Sequence, residues 1–333
     1  MAVNLEDIRK LLPEVQSELF GKPNVVATGI GYKVSAGKQT EDLSIICSVE
    51  TKKKKQALTE RELVPPTIQG MTTDVNPTGL IRALQDPTGR FRPAPGGVSL
   101  GHYLITAGTL GCWVKKNDKL YMLSNNHVLA NSNEASIGDS ILQPGPYDGG
   151  TVANDQIGTL SDFVKIQFAE TDNSCQFANS IAFFLNALAK MIGSKSRMKS
   201  VRVQAATNLV DCAIAEPLDP NDAKNEILNI GNILGVEDAI LGMGLKKSGR
   251  TTGYTTGSVL QIDVTSQVSY GTNKVATFTD QLMAGAMSEG GDSGSAVLND
   301  DNKLVGLLFA GSSTSTIINR IQNVFQALNV ILP

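Results

Sequence analysis

The sequence predicts a mainly β protein, barrels or sandwiches of short strands, placed behind a small α+β unit. Three observations predict it. From about residue 97 onward, short β-branched or leucine-rich runs alternate with glycine turns, the pattern of many closely spaced strands. Residues 1–78 have another texture, an amphipathic helix followed by strand-like runs. Between them, residues 79–96 are rich in proline, glycine and polar residues and include Arg92-Pro-Ala-Pro-Gly-Gly97, which reads as a linker.

Each element follows from its spacing. Leu5, Ile8, Leu11, Leu12, Val15 and Leu19 recur three or four residues apart, so the first twenty residues should form a helix with one apolar face. Val25–Val34 and Leu43–Val49 read as strands, Gln56–Leu63 as a short helix and Ile68–Val75 as another strand. In the β-rich region the expected strands are Tyr103–Ala107, Gly111–Val114, Leu120–Leu123, Ser140–Gln143, Ile157–Leu160, Ser258–Val264 and Leu304–Phe309.

Two helices interrupt that pattern. Phe177–Ile192, in an insertion near 175–195, is almost free of charge and is followed by Lys195, Arg197, Lys199 and Arg202. Crossing a bilayer takes roughly 20 apolar residues, so no transmembrane segment is expected. This helix suits packing on its own domain or a neighbouring subunit, hence a possible homo-oligomer; a lid or a membrane-surface contact are the other readings. At the chain end Ile317, Ile318, Ile321, Val324, Phe325 and Leu328 share one face, the mark of a closing amphipathic helix.

Composition excludes several classes. Among 333 residues, 29 Lys and Arg stand against 32 Asp and Glu, a net charge of -3, so no nucleic acid partner is expected. Four cysteines, Cys47, Cys112, Cys175 and Cys212, have no zinc-type spacing, and there are two histidines; no metal, cofactor or disulfide is expected. Met1–Lys10 lacks the basic start and apolar core of a secretory signal. A cytoplasmic protein with reduced thiols is the expectation.

The most informative stretch is Glu289-Gly-Gly-Asp-Ser-Gly-Ser-Ala-Val-Leu298, directly before a strand. Gly291 and Gly294 free the backbone around Ser293, so the Gly291 and Ser293 amides can converge as an oxyanion hole. Its bland reading is an ordinary Asp-Ser-Gly turn. A serine hydroxyl needs a base, usually histidine, and the choice is between His102 and His127. His127 follows the apolar run of Leu120-Tyr-Met-Leu-Ser-Asn-Asn-His127, whereas His102 lies beside an edge strand and reads as structural. The imidazole then needs a carboxylate to hold its tautomer. Asp211 interrupts the apolar run Asn208-Leu-Val-Asp-Cys-Ala-Ile-Ala215, where a buried charge is costly unless bound; Asp162 and Asp172 sit in polar surroundings. The separations are 84 residues from His127 to Asp211 and 82 from Asp211 to Ser293, as one barrel per half would give, with the halves at 97–235 and 236–333.

With those residues in the order His, Asp, Ser, residues 97–333 resemble the chymotrypsin-like serine peptidases. Within that superfamily the chain looks most like the trypsin-like peptidases related to the plant narrow-leaf protein and its bacterial relatives. The likeness rests on Leu142-Gln-Pro-Gly-Pro-Tyr-Asp-Gly-Gly150, Lys247-Ser-Gly-Arg-Thr-Thr-Gly253 and Val305-Gly-Leu-Leu-Phe-Ala-Gly311. The resemblance implies a double β-barrel and an endopeptidase cleaving proteins or peptides through an acyl-enzyme. It also implies a substrate pocket at Met287, Ser288, Ala310 and Gly311, which would favour a medium, uncharged side chain unless Glu289 folds inward.

Two departures stand out. In digestive relatives the aspartate before the serine is held by a freshly cut amino terminus, but Asp292 follows a whole extra domain, so a built-in partner is expected. The strand Leu308-Phe-Ala-Gly311 lacks the serine often found beside the triad aspartate, which leaves the support of Asp211 open. Rival readings are a catalytically silent scaffold and an esterase using the same triad. Gly244–Thr251 has phosphate-loop spacing with arginine in place of lysine and reads as a strand and turn. Lys52–Lys55 reads as a solvated turn.

Overall fold

The computed structural model describes all residues except 1–3, 36, 80, 82–84, 106, 170, 173–175, 192, 195, 197, 199–201, 204–206 and 273. Two compact units divide the chain, 1–84 and 85–333. In the first, Asn4 caps the helix Leu5–Phe20 by accepting from the Glu6 amide at 3.1 Å. That helix buries Ile8, Leu11, Val15 and Leu19 against Ile45, Cys47 and Ile68. Strands Val25–Ser35 and Lys38–Val49 pair antiparallel, and Met71–Pro77 pairs parallel with the second.

Two expectations in this unit are corrected. Gln56–Leu63 is not a helix: a 3-10 turn spans Lys55–Ala57, and Thr59 then starts a second turn. There the Glu62 carboxylate accepts from the Thr59 amide and hydroxyl at 3.0 and 2.9 Å. This is a helix start that Pro65 and Pro66 forbid to propagate. Ile68–Val75 is not one strand either, because Gln69 and Gly70 both take positive φ, 48° and 84°, and fold it into a hairpin of Thr67–Ile68 with Met71–Pro77.

The second unit holds two seven-stranded sheets. The first runs Gly108–Thr109, Ser99–His102, Ser140–Leu142, Gln156–Phe163, Ala213–Pro217, Lys119–Ser124 and Cys112–Lys116. Its end strands are one run of chain bent at Leu110, whose carbonyl and amide bond Gly97 and Val98, so the sheet wraps onto itself. Trp113, Met122, Leu100 and Ile141 fill its centre. The second sheet runs Thr207–Asn208, Val275–Gly285, Gly253–Ser269, Gly244–Gly249, Ala296–Asn299, Leu304–Gly311 and Ser315–Arg320. Ser315–Arg320 also pairs with Val275–Gly285, which closes a barrel around Leu245, Leu282, Val297 and Ile318. A third cluster, including Leu123, Ile214, Leu298 and Leu307, joins the barrels, and the last helix packs on it through Ile321, Val324 and Leu328. The fold is therefore mainly β, a chymotrypsin-like pair of barrels, preceded in the chain by a helix and strands.

Several boundaries differ from expectation. Ala94–Gly96, placed in the linker, is a buried strand parallel to Ala223–Ile227. Thr207–Asn208, placed in the first barrel, pairs with the second. The described residues of the run expected as strand Tyr103–Ala107 are not in a strand, because the His102 ring and carbonyl accept the Leu104 and Ile105 amides and turn the chain; residue 106 lies outside the described residues. The closing helix starts at Ile321; Ile317 and Ile318 belong to a strand whose two neighbours satisfy its backbone bonds. The insertion helix spans Gln176–Met191, and Phe177, Phe183, Phe184 and Met191 on it are exposed. Among the described residues no helix is long and apolar enough to cross a membrane.

Candidate active site

The first barrel delivers the candidate base. Strand Lys119–Ser124 runs into the short helix Asn126–Leu129, which carries His127. Asn126 fastens that helix by bonding Asn133 and the Val164 carbonyl at 2.8 and 2.7 Å. Asp211 lies two residues before strand Ala213–Pro217 and is fully buried. Asn125 and Asn319 bond its backbone, at 2.8 Å to its carbonyl and 3.1 Å from its amide. The Asp211 carboxylate meets His127 Nδ1 at 2.6 Å through Oδ2, while Oδ1 accepts the His127 backbone N–H at 3.3 Å. Because Nδ1 faces a carboxylate, the ring's Nε2 is left to face the cleft.

The second barrel delivers Ser293 from the turn between Val275–Gly285 and Ala296–Asn299. Two glycines make that turn possible. Gly291 has φ 101°, and a Cβ there would lie 2.3 Å from Thr251 Oγ1; Gly294 has φ 95°, and a Cβ would lie 2.1 Å from Ser124 Oγ. Among the described residues neither the Gly291 nor the Ser293 amide donates to a protein acceptor, as an anion-binding pair of donors requires. Ser293 and His127 line one cleft of about 820 Å³. The Ser293 hydroxyl donates to the Phe309 carbonyl at 3.5 Å, the long limit of a hydrogen bond, so rotation toward His127 breaks little.

Beside the serine a second cavity of about 670 Å³ opens, lined by Met287, Ser288, Ala310 and Gly311 together with Thr252, Thr255 and Glu289. All four expected pocket residues thus face one space. Met287 is buried, and Ser288 bonds Thr316 at 2.9 Å, so the inner wall is uncharged. Glu289 is exposed at the rim.

Asp292 has a built-in partner. Lys247 Nζ lies 3.1 Å from Oδ2, with both side chains fully buried. Thr252 Oγ1 and the Glu289 amide donate to the same oxygen at 2.6 and 3.0 Å; the Thr251 and Thr252 amides reach Oδ1 at 2.8 and 3.1 Å. Burial alone would raise the Asp292 pKa, but Lys247 and these donors hold it below the ordinary carboxylate range. Burial draws the Lys247 ammonium below its usual value against the pull of Asp292. Three residues on, Arg250 donates through Nε to Asp148 at 2.8 Å and covers the Tyr147 ring, fastening the first barrel's loop beside the nucleophile turn. The stretch Gly244–Thr251, read as a plain strand and turn, thus supplies Lys247 and Thr251 to the scaffold of the Ser293 turn.

Sequence reasoning missed Lys247, Arg250 and Tyr270. Tyr270 donates its hydroxyl to Asp211 Oδ2 at 2.7 Å. Only Lys247 left a signal: on strand Gly244–Gly249 it alternates in phase with Leu245, which assigns it to the buried face. His102 stays apart from this cluster, fully buried with Nε2 3.1 Å from Asp139. Cys47, Cys112 and Cys212 are buried free thiols, and burial pushes the first two up to about 11 and about 12. Cys175 lies outside the described residues. Among those residues no group of His, Cys, Asp and Glu is arranged to hold a metal.

Residues 227–331 match the family model described as Trypsin. That stretch holds Lys247, Tyr270, Asp292 and Ser293, while His127 and Asp211 lie before it. No curated protein matches the chain. Among solved structures, Thermobifida fusca Protease A is similar at 15% identity and a TM-score of 0.45, covering 72% of this chain and 97% of its own. A Cellulomonas bogoriensis chymotrypsin is similar at 15% identity and 0.42, with the same coverage. Nocardiopsis protease is similar at 14% identity and 0.45, again over 72% and 97%. The second barrel thus carries a trypsin-like sequence signature, which supports a serine peptidase domain.

Proposed function

We propose that this chain is a serine endopeptidase using Ser293 as nucleophile, His127 as general base and Asp211 as the carboxylate that orients it. The observation that carries the reading is the 2.6 Å contact between His127 Nδ1 and Asp211 Oδ2 in a cleft that Ser293 also lines. In this reaction His127 Nε2 takes the Ser293 proton as Oγ attacks the scissile carbonyl carbon. The oxyanion accepts from the Gly291 and Ser293 amides. The intermediate collapses to an acyl-enzyme, His127 gives its proton to the leaving amine, and water reverses the steps to release the acid.

The uncharged inner wall of the pocket favours a medium, uncharged side chain before the cut bond. Kinship with the narrow-leaf group belongs to this proposal and rests on the sequence segments around Tyr147, Lys247 and Leu308.

A fluorophosphonate probe tests the reading. It should label Ser293, as mapped by mass spectrometry, and Ser293→Ala should abolish labelling and lower kcat on the order of a million-fold. An unlabelled, inactive wild type would leave the silent scaffold. Cleavage of model esters with peptide libraries left intact would leave the esterase.

A further inference from the structure

A fully buried carboxylate is tolerable only when donors surround it. At Asp211 the strand Leu304–Gly311 supplies none: its Phe309 packs its ring on Phe278, with centroids 4.7 Å apart. The donor comes from elsewhere. Gly253–Ser269 and Val275–Gly285 form a long hairpin whose tip, closed by a 2.8 Å bond from the Tyr270 amide to the Lys274 carbonyl, reaches the His127 side of the cleft. Tyr270 sits at that tip. Its ring is wedged edge-on between Phe168 and His127, with centroids 5.5 and 5.7 Å away.

We propose that Tyr270 is the positioning residue of this site: its phenol fixes the Asp211 carboxylate plane so that Oδ2 points at His127 Nδ1. The inference rests on the peptidase reading. Oδ2 accepts two short bonds, 2.7 Å from Tyr270 and 2.6 Å from His127, against one of 3.3 Å at Oδ1. Two donors converging on one oxygen leave the carboxyl group a single orientation. The hairpin belongs to the barrel that carries Ser293, so this bond also ties the base's carboxylate to the half holding the nucleophile. Burial, the Asp211 charge and the bond itself hold the phenol far above its usual value, and it therefore stays a donor. The other titratable neighbours do not compete for Asp211. Cys212 is buried with its thiol pushed well up, and Lys274, 5.8 Å over the Phe168 ring, pairs with Glu134.

The test is Tyr270→Phe, which keeps the ring and removes the hydroxyl. It should lower kcat roughly ten- to a hundredfold, the weight of one hydrogen bond to a charged group, with KM nearly unchanged. The loss should largely vanish in an Asp211→Asn background, since both changes act on one unit. Proton NMR gives a readout independent of turnover: the His127 Nδ1 proton should shift in Tyr270→Phe. If the Phe variant does not fold, 3-fluorotyrosine at position 270, a stronger donor, must move that proton in the opposite direction. A folded Tyr270→Phe with kcat within about twofold of wild type, or an unmoved Nδ1 proton, overturns the assignment. A wild type that the probe does not label at Ser293 overturns the peptidase reading instead, and the NMR shift still decides the role of Tyr270.

Discussion

Two fully buried aspartates, Asp211 bonded to His127 and Asp292 next to Ser293 in the chain, are stabilised by the protein in opposite ways. Asp292 faces a buried ammonium, a hydroxyl and three backbone amides. Its charge is neutralised permanently, and the nucleophile turn is built on that fixed pair. Among the described residues Asp211 has no fixed cation; an imidazole ring, a phenol and one long backbone bond are its partners. In the proposed reaction its charge is balanced when His127 takes up the Ser293 proton. On the proposed mechanism the difference separates a structural carboxylate, Asp292, from one held in reserve for the transition state, Asp211.

That contrast predicts separable phenotypes. Asp211→Asn should lower kcat by about ten-thousandfold, because the amide leaves the wrong His127 tautomer, while the thermal midpoint changes little. Steady-state kinetics beside calorimetry checks it; equal damage to folding would erase the distinction. Lys247→Met should do the reverse in emphasis. Stranding Asp292 as a buried unpaired charge costs about 3–5 kcal/mol of stability, read by urea titration. Activity should fall with the collapse of the turn. Adding Asp292→Asn to Lys247→Met should return much of the stability, since the pair is then replaced rather than broken.

How much of this was legible in the sequence depends on the range of the force involved. The opening helix follows from local periodicity, and its buried residues are Ile8, Leu11, Val15 and Leu19. The meeting of His127 and Asp211 followed from chemistry: a base needs a carboxylate, and the alternatives were few. Local reasoning failed where a partner decided the outcome. Ile317 and Ile318 match a helical stripe, yet two neighbouring strands claim them. Gln69 gave no warning of positive φ, so a hairpin read as a strand. Tyr270 was invisible because its role depends on the reach of a bulged hairpin, whose register shifts between Val259 and Ser266 are not encoded in any short pattern. Lys247 was readable in principle from alternation with Leu245, but a lysine on a buried face is rare enough to be passed over.

The smallest expected effect lies in the acid response of the Asp292 cluster. Its pKa is lowered in the fold from an ordinary 3.8, so the folded state holds its proton less tightly than the unfolded chain. The linkage then has one sign: the contribution is fully present above 3.8 and is lost as the pH falls through the lower folded value. Thr252→Val removes one short donor, the 2.6 Å hydroxyl bond to Oδ2, together with the acceptor the same hydroxyl offers Lys247 Nζ, and keeps the Lys247 side chain itself. It should cost about 1.5–3 kcal/mol at neutral pH. It should also bring the folded pKa of Asp292 closer to 3.8, so that acid unfolding begins at a higher pH than in wild type. Asp292→Asn, which has no proton to take up, should lose this acid-dependent component. Unfolding followed by tryptophan fluorescence uses Trp113, the one tryptophan of the chain, buried in the first barrel. Acid curves of wild type and Thr252→Val that superimpose would mean that the ammonium and the backbone amides set the Asp292 charge without the hydroxyl.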